Sequence, residues 1–302
     1  WSSTPACRSQ KLHKTVGKSS ILNAMIGQKV AIVSNKPQTT RTRIMGVLTE
    51  GEDQLVFIDT PGMHKPKTSL GKYMVRSVNE SVSGVDACLL VTEADREPTQ
   101  TELMLIEKFK SLDLPAILAI NKIDTLKNKE VLMAQILKYS KLYDFAAIVP
   151  VSAHDGDGIN ELKEALKEFA MEGGHFFEED ALTDQSERNL AAEMIREKIL
   201  RLTDREIPHG TAVVVEKMRT RDDGSDIMDV DATIYCEKDS HKGIIIGKGG
   251  SMLKKISSQA RQDMENFFDC KVNLQTWVKV KEDWRNREGL LKSFGFDKSD
   301  FD

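Results

Sequence analysis

Between Ser19 and Ser152 the chain alternates short, nearly unbroken apolar runs with stretches of helical period. The runs are Leu55–Asp59 (LVFID), Ala87–Glu93 (ACLLVTE), Pro115–Asn121 (PAILAIN) and Ala146–Ser152 (AAIVPVS). They lack the polar alternation of a half-exposed strand, so they suit a mostly parallel sheet buried on both faces. Helical patterns fall near Ser69–Ser81, Thr99–Lys110, Lys129–Tyr143 and Ile159–Glu172. The alternation predicts an α/β domain with crossover helices. One stretch departs from it. In IMGVLTEGEDQLVFID two strand-like runs flank EGED, a turn too short to hold a helix. An antiparallel hairpin at the sheet edge follows.

The pattern changes after residue 172. Residues 173–185 (GGHFFEEDALTDQ) are acidic and open on two glycines, as a linker would. An amphipathic helix is expected over Ser186–Thr203. Two strand patterns follow, TAVVVEKMR and IMDVDATIYCE, joined by the hairpin turn signal RDDGSD. HKGIIIGKGGSMLKKISSQARQDMENFF reads as helix, glycine loop, helix, and KVNLQTWVKVKE as a last strand. The order α-β-β-α-α-β makes a second, α+β domain. The expected organisation is therefore 1–172, an α/β nucleotide-binding domain; 173–185, a linker; and 186–302, an α+β domain.

Composition adds exclusions. The 302 residues are 40% hydrophobic and 30% charged, enough for two packed cores. A net charge of -4 argues against indiscriminate polyanion binding. The charge is uneven, however. His241–Asp302 holds 12 Lys+Arg against 9 Asp+Glu, which leaves 31 against 38 for the remainder. A basic end on an acidic body suggests an anionic partner for that end. Cys7, Cys88, Cys236 and Cys270 form no C-x-x-C pair and indicate neither zinc nor a disulfide framework. There is no apolar run of membrane-span length and no signal-peptide core, so a cytoplasmic protein is expected; nothing in the sequence argues against a monomer.

Four short motifs then fall at strand ends in the order that a guanine-nucleotide site requires. Any one of them is weak evidence, since GKS arises by chance and DTPG makes an ordinary turn. Val16-Gly17-Lys18-Ser19-Ser20 opens a helix, where backbone N–H groups cradle phosphate. Lys18 would reach the β- and γ-phosphates and Ser19 would bind Mg²⁺. Asp59-Thr60-Pro61-Gly62 follows a strand; Asp59 would hold Mg²⁺ and the Gly62 N–H would meet the γ-phosphate. Asn121-Lys122-Ile123-Asp124 supplies the base reader. The Asp124 carboxylate can accept from both N1–H and the N2 amine of guanine, a donor pair that adenine lacks. Lys122 would lay its stem over the base, and Asn121 would tie loops together. Ser152-Ala153 would support the base through backbone N–H. In the polar segment NKPQTTRTR, Thr40 is the expected hydroxyl ligand to Mg²⁺, with Thr39 second. The expected cofactors are GTP or GDP and Mg²⁺, and the catalytic set is Lys18, Thr40 and Gly62. Met63 stands where many GTPases place the glutamine that orients water. Intrinsic hydrolysis should then be slow, use another device, or need a partner.

Gly247-Lys248-Gly249-Gly250 lies between two helical stretches. A G-x-x-G loop lets backbone approach sugar-phosphate closely, and the next helix turns its positive end to the same anion. Lys248, Lys254 and Lys255 add charge, and the preceding GIII would floor a groove for about four unstacked nucleotides. Trp277 and Trp284 could stack on bases, but core or rim packing is the plainer reading of each.

With QTTRTR, DTPGMH, NKID, VSAHDGDGI, LAAEMIREKIL, IPHGTAVVVE and GIIIGKGGSMLKKI together, the chain resembles the bacterial Era GTPase family. The resemblance runs from Val16 nearly to the C-terminus. It implies a P-loop GTPase domain with one antiparallel edge strand, followed by a type II KH domain. It implies a GTP/GDP switch that binds 16S ribosomal RNA near its 3′ end and assists assembly of the small ribosomal subunit. It also implies peripheral association with the inner membrane face. Met63 fits, because the family carries a hydrophobic residue there. The opening stretch departs from the pattern. Leu12 occupies a glycine position of the phosphate loop, and Arg8, Gln10 and Lys11 do not suit a central strand. Thr15 replaces an asparagine that helps hold a monovalent cation in related GTPases. One explanation is a truncated or frame-shifted front end. The other is an RNA-binding protein whose degenerate G domain no longer binds or hydrolyses GTP. The abrupt return of the match at Val16 favours the first.

Overall fold

The computed structural model describes residues 16–62, 68–81, 84–204 and 206–296, without the side chains of 78–81. The first strand expected near Ala6–Lys11 lies outside these residues, as do Leu12, Thr15 and Met63. Helix α1 (Lys18–Ile26) starts at Gly17 and buries Ile21, Leu22 and Met25. Strands β1 (Ile44–Glu50) and β2 (Asp53–Asp59) then form the expected antiparallel hairpin, with Val47 opposite Val56.

Helix α2 (Ser69–Ser81) precedes β3 (Cys88–Glu93), α3 (Gln100–Leu112), β4 (Ala116–Asn121), α4 (Lys129–Ser140), β5 (Ala147–Pro150) and α5 (Ile159–Lys167). Strands β3, β4 and β5 pair in parallel in that order. All six residues of β4 are buried, as its unbroken apolar run requires. Helices α4 and α5 stop three and five residues earlier than the pattern suggests, before the exposed turns that follow them. Among the described residues the hairpin and the parallel strands form two separate sheets.

Residues 173–185 run beside the hairpin. Val47 N–H donates to the Leu182 carbonyl at 2.9 Å, and Thr183 bridges Gly46. The Gln54 side chain accepts from the amides of Phe176 and Phe177 at 2.8 and 2.9 Å. The acidic stretch thus covers part of the β1 edge, which would otherwise expose unpaired backbone groups.

Helix α6 (Glu187–Leu202) opens the second domain and is capped by Ser186. Strands β6 (Thr211–Thr220) and β7 (Ile227–Cys236) pair antiparallel. Helices α7 (Asp239–Ile246) and α8 (Ser251–Phe268) follow, and β8 (Lys271–Val280) joins β7 in parallel. The core of this domain packs Ile195 and Ile199 of α6 with Val230, Ala232 and Ile234 of β7 and Ile256, Ala260 and Met264 of α8. The expected order α-β-β-α-α-β is therefore present.

Two features differ from the pattern reading. Helix α6 is not simply amphipathic: Arg196, Glu197 and Lys198 are buried along with Ile195 and Ile199. The helix lies between the two domains: Glu197 pairs with Lys29 and Arg196 donates to the Thr39 carbonyl across the contact, while Lys198 pairs with Asp263 of its own domain. A further short helix, α9 (Glu288–Ser293), follows β8. Its Leu291 packs with Trp284 and with Leu70, Tyr73 and Met74 of α2.

Candidate nucleotide site and RNA-binding loop

The phosphate end begins where the chain turns into α1. Gly17 has φ 89°, and a Cβ there would stand 2.4 Å from Asn121 Nδ2, so only glycine fits. Ser19 Oγ donates to Asp59 Oδ2 at 2.7 Å, and Thr40 Oγ1 donates to the same oxygen at 3.2 Å. The two hydroxyl oxygens are 3.1 Å apart. Thr39 turns away and donates to the Lys36 carbonyl at 2.6 Å. Of the two threonines, then, Thr40 joins Ser19 and Asp59. One carboxylate and two hydroxyls are hard oxygen donors. They suit magnesium shared with phosphate and water, and they do not suit zinc. Val16, Lys18, Ser20, Thr60 and Gly62 line the cavity around these groups.

The base end lies at the carboxyl ends of β4 and β5. Asn121 is its hub. Its Nδ2 donates to the Val16 carbonyl at 2.9 Å, and its Oδ1 accepts from the amides of Lys122 at 2.8 Å and Ala153 at 3.2 Å. One amide side chain thereby joins the phosphate loop to both base-side loops. Ser152 is fully buried, and its hydroxyl donates to Asp124 Oδ1 at 2.8 Å. That bond orients a carboxylate on an otherwise exposed residue. The motif residues of the base end stand outside the lining of the cavity.

Lys122 adopts a left-handed backbone conformation, φ 67°. Its ammonium pairs with buried Glu93, whose other oxygen lies 3.4 Å from Arg96 Nε. Arg96 in turn forks onto Glu102 at 2.9 and 2.6 Å, and Glu102 closes the capping box of α3 with Thr99. Sequence reasoning missed Glu93. The available signal was its place at the end of β3, in register with Asn121 of β4.

In the second domain, Gly247, Gly249 and Gly250 all have positive φ, of 73°, 59° and 79°. At Gly247 a Cβ would stand 2.7 Å from Met252 Cβ, whereas Gly249 and Gly250 face open space. Lys248, Lys254 and Lys255 are exposed around the loop and the first turn of α8. The two tryptophans part company. Trp284 is fully buried, with Nε1 donating to the Gly210 carbonyl at 3.0 Å. Trp277 is 43% exposed. Its neighbour Thr276 meets Ser257 of α8 at 2.8 Å, so Trp277 points to the sheet face away from that helix.

The comparisons with known proteins bear on both domains. Residues 13–122 match the family described as 50S ribosome-binding GTPase, and residues 206–285 match the KH domain. GTPase Era of Ruminiclostridium cellulolyticum is 53% identical over 282 residues, 93% of each chain. The chain belongs to the Era GTPase family. Era of Clostridium botulinum strain Hall is 48% identical over 93% of this chain and 94% of its own. Among solved structures, an Aquifex aeolicus Era variant bound to GDP·AlF4⁻ has a TM-score of 0.89. It is 36% identical and covers 94% of this chain and 96% of its own. A second Era structure, in complex with MgGDPNP and nucleotides 1506–1542 of 16S ribosomal RNA, has a TM-score of 0.86 at 36% identity, covering 94% and 95%. The fold is thus a P-loop GTPase domain followed by a KH domain, as in other Era proteins. Among the described residues no helix is long and apolar enough to cross a membrane.

Proposed function

We propose that this Era-family chain is a GTPase that binds guanine nucleotide with Mg²⁺ and hydrolyses GTP to GDP and phosphate. Its KH domain binds 16S ribosomal RNA near the 3′ end, in the service of small-subunit assembly. The observation that carries the reading is the convergence of Ser19, Thr40 and Asp59, in a chain that also exposes a G-x-x-G loop. The Era structure that holds MgGDPNP and a 16S fragment supports both halves. It also favours 16S RNA over the large subunit named in the G-domain family description.

The residues divide the work. Amides from Val16 to Ser20 and the Lys18 ammonium receive the phosphates, and the Gly62 N–H receives the γ-phosphate. Ser19, Thr40 and Asp59 hold Mg²⁺, which when bound neutralises charge between the β- and γ-phosphates. Asp124 accepts from guanine, while Asn121, Ser152 and Ala153 fix the loops that carry it. Lys122 lines the base with its stem, held by Glu93. Gly247–Gly250 brings backbone and helix end to the RNA, with Lys248, Lys254 and Lys255 as counter-charges.

The test is titration with a fluorescent GDP analogue in Mg²⁺, followed by gel shift with an RNA of the 16S 3′ end. Micromolar binding competed by GDP and not by ADP is the expected result. RNA binding without nucleotide binding would support the other reading, an RNA-binding protein with a degenerate G domain. The observation favouring that alternative is Leu12 at a glycine position of the phosphate loop.

A further inference from the structure

Thr40 is the one residue of the metal cluster that comes from neither a strand end nor a helix start. It sits in the irregular segment between α1 and β1, where local backbone bonding does not fix a side chain. It is nonetheless buried and bonded to Asp59. Its two neighbours account for this. The Thr39 carbonyl accepts from Arg196 of α6, and Arg196 is itself braced by Glu193 through bonds of 2.7 and 2.6 Å. On the other side, the Arg41 guanidinium enters a pocket of carbonyls formed by the first residue of β6 and the loop before it. Its Nη1 donates to Thr211 O at 2.6 Å, and its Nη2 donates to His209 O at 2.9 Å and Pro208 O at 3.1 Å. The Trp284 ring lies 5.9 Å from the Arg41 Cζ, and the same indole holds the Gly210 carbonyl of that loop.

We propose that Arg41 is a positioning residue: docked in the carbonyl pocket of the KH domain, it holds the Thr40 hydroxyl at the metal site. The role rests on the magnesium–nucleotide reading of Ser19, Thr40 and Asp59 given above. The geometry is specific to arginine. A planar fork satisfies three carbonyls at once, and lysine, with a single point charge, does not reproduce it. Arg41 is 2% exposed, and burial beside Arg196 lowers its pKa to about 9, so the site keeps a costly buried cation. No acidic side chain forms a salt bridge with it among the described residues; three carbonyl dipoles meet its charge directly, and Glu193 and Glu237 act on it from farther away. A buried cation held by backbone dipoles is a poor stabilising device compared with an apolar side chain. Its fixed fork is a good alignment device, which is the use assigned here.

The consequence is a division between nucleotides. The Thr40 hydroxyl serves Mg²⁺ when a γ-phosphate is present, so displacing it should weaken the triphosphate complex more than the diphosphate complex. The experiment uses the full chain and its Arg41→Ala, Arg41→Lys and Arg196→Met variants. Fluorescent GDP and a non-hydrolysable GTP analogue are titrated over a range of Mg²⁺, with thermal melts to confirm folding. Arg41→Ala is expected to leave GDP affinity within about twofold. It should weaken the GTP analogue about tenfold and raise the Mg²⁺ needed for half-saturation by a similar factor. Arg41→Lys should fail to rescue, and Arg196→Met should shift in the same direction by less. Combined with Thr40→Ala, Arg41→Ala should add little, because both remove the same contact. Equal loss for both nucleotides, additivity with Thr40→Ala, or rescue by lysine would each overturn the positioning role while leaving the nucleotide reading standing. A parent chain that binds neither nucleotide would overturn the reading and the role together.

Discussion

The base end of the cleft is built wholly from the G domain, and the metal end is not. Asn121, Lys122, Asp124, Ser152 and Ala153 are fixed by one another, by Val16 and by Glu93, all within residues 16–153. Thr40 at the metal end is flanked by residues held by α6 and by the loop at 208–211 of the KH domain. Helix α2, the first helix after Asp59–Gly62, likewise packs its Leu70, Tyr73 and Met74 on Trp284 and Leu291. Recognition of the base is therefore local. On the proposed reading, response to the γ-phosphate would be shared between domains, because the residues flanking Thr40 are seated on α6 and on residues 208–211.

The sharpest way to break this comparison is at the base end. Asp124→Asn should lower guanine-nucleotide affinity by about 10³- to 10⁴-fold, because the site loses its acceptor pair. Preference should move to xanthosine nucleotides, which offer the complementary pattern, and RNA affinity should not change. Competition titration checks it. Unchanged GTP preference would remove Asp124 from the role of base reader.

Gly17→Ala should cost about 10²-fold in binding of GDP and GTP alike, through backbone strain and the collision with Asn121 Nδ2. This substitution joins the two ends, because Asn121 also holds Lys122 and Ala153. If GDP binding survives intact, the Asn121–Val16 bond is not the tie between phosphate and base. Gly249→Asp tests whether the RNA loop stands apart. Open space surrounds Gly249, and aspartate tolerates its φ of 59°, so the fold should hold. A carboxylate against phosphate should still reduce RNA affinity by about tenfold or more in a gel shift, with nucleotide binding unchanged.

The parts that sequence patterning reached and those it missed differ in range. Strands β4 and β5 are nearly unbroken apolar runs, and their ends carry short motifs, so fold and base reader were legible together. The hairpin turn at EGED and the glycines at 247–250 announce themselves locally in the same way. The partners of Arg41 lie about 170 positions away in carbonyls, which have no signature in side-chain identity. Arg196, Glu197 and Lys198 read as the polar face of an amphipathic helix, because pattern alone cannot tell solvent from a second domain. Trp284 was legible as a packing residue, but not as the floor under Arg41.

The smallest expected effect lies on the seam itself. Glu197 has no exposed side-chain surface and pairs with Lys29 at 2.5 Å and Lys198 at 3.0 Å; Asp263 meets the same two lysines, each at 2.5 Å. Burial alone would raise the pKa of both carboxyls. The hydrogen bonds and charges of the lysines outweigh it and lower both, helped at Glu197 by the Val33 amide. Lowered folded-state values mean that this stability is present above the unfolded carboxylate range, about pH 4. It is lost as pH falls through the lower folded values. Glu197→Gln keeps the shape and removes the charge, and should cost about 1–2 kcal/mol at pH 7, since Lys29 remains partly solvated. The deficit relative to the parent should shrink as pH drops below 4, because the unfolded parent then takes up the proton that its folded form resists. Denaturant melts at pH 7 and pH 3.5 check both statements. A deficit that stays constant with pH would mean that the cluster contributes packing, not charge, to the contact between the domains.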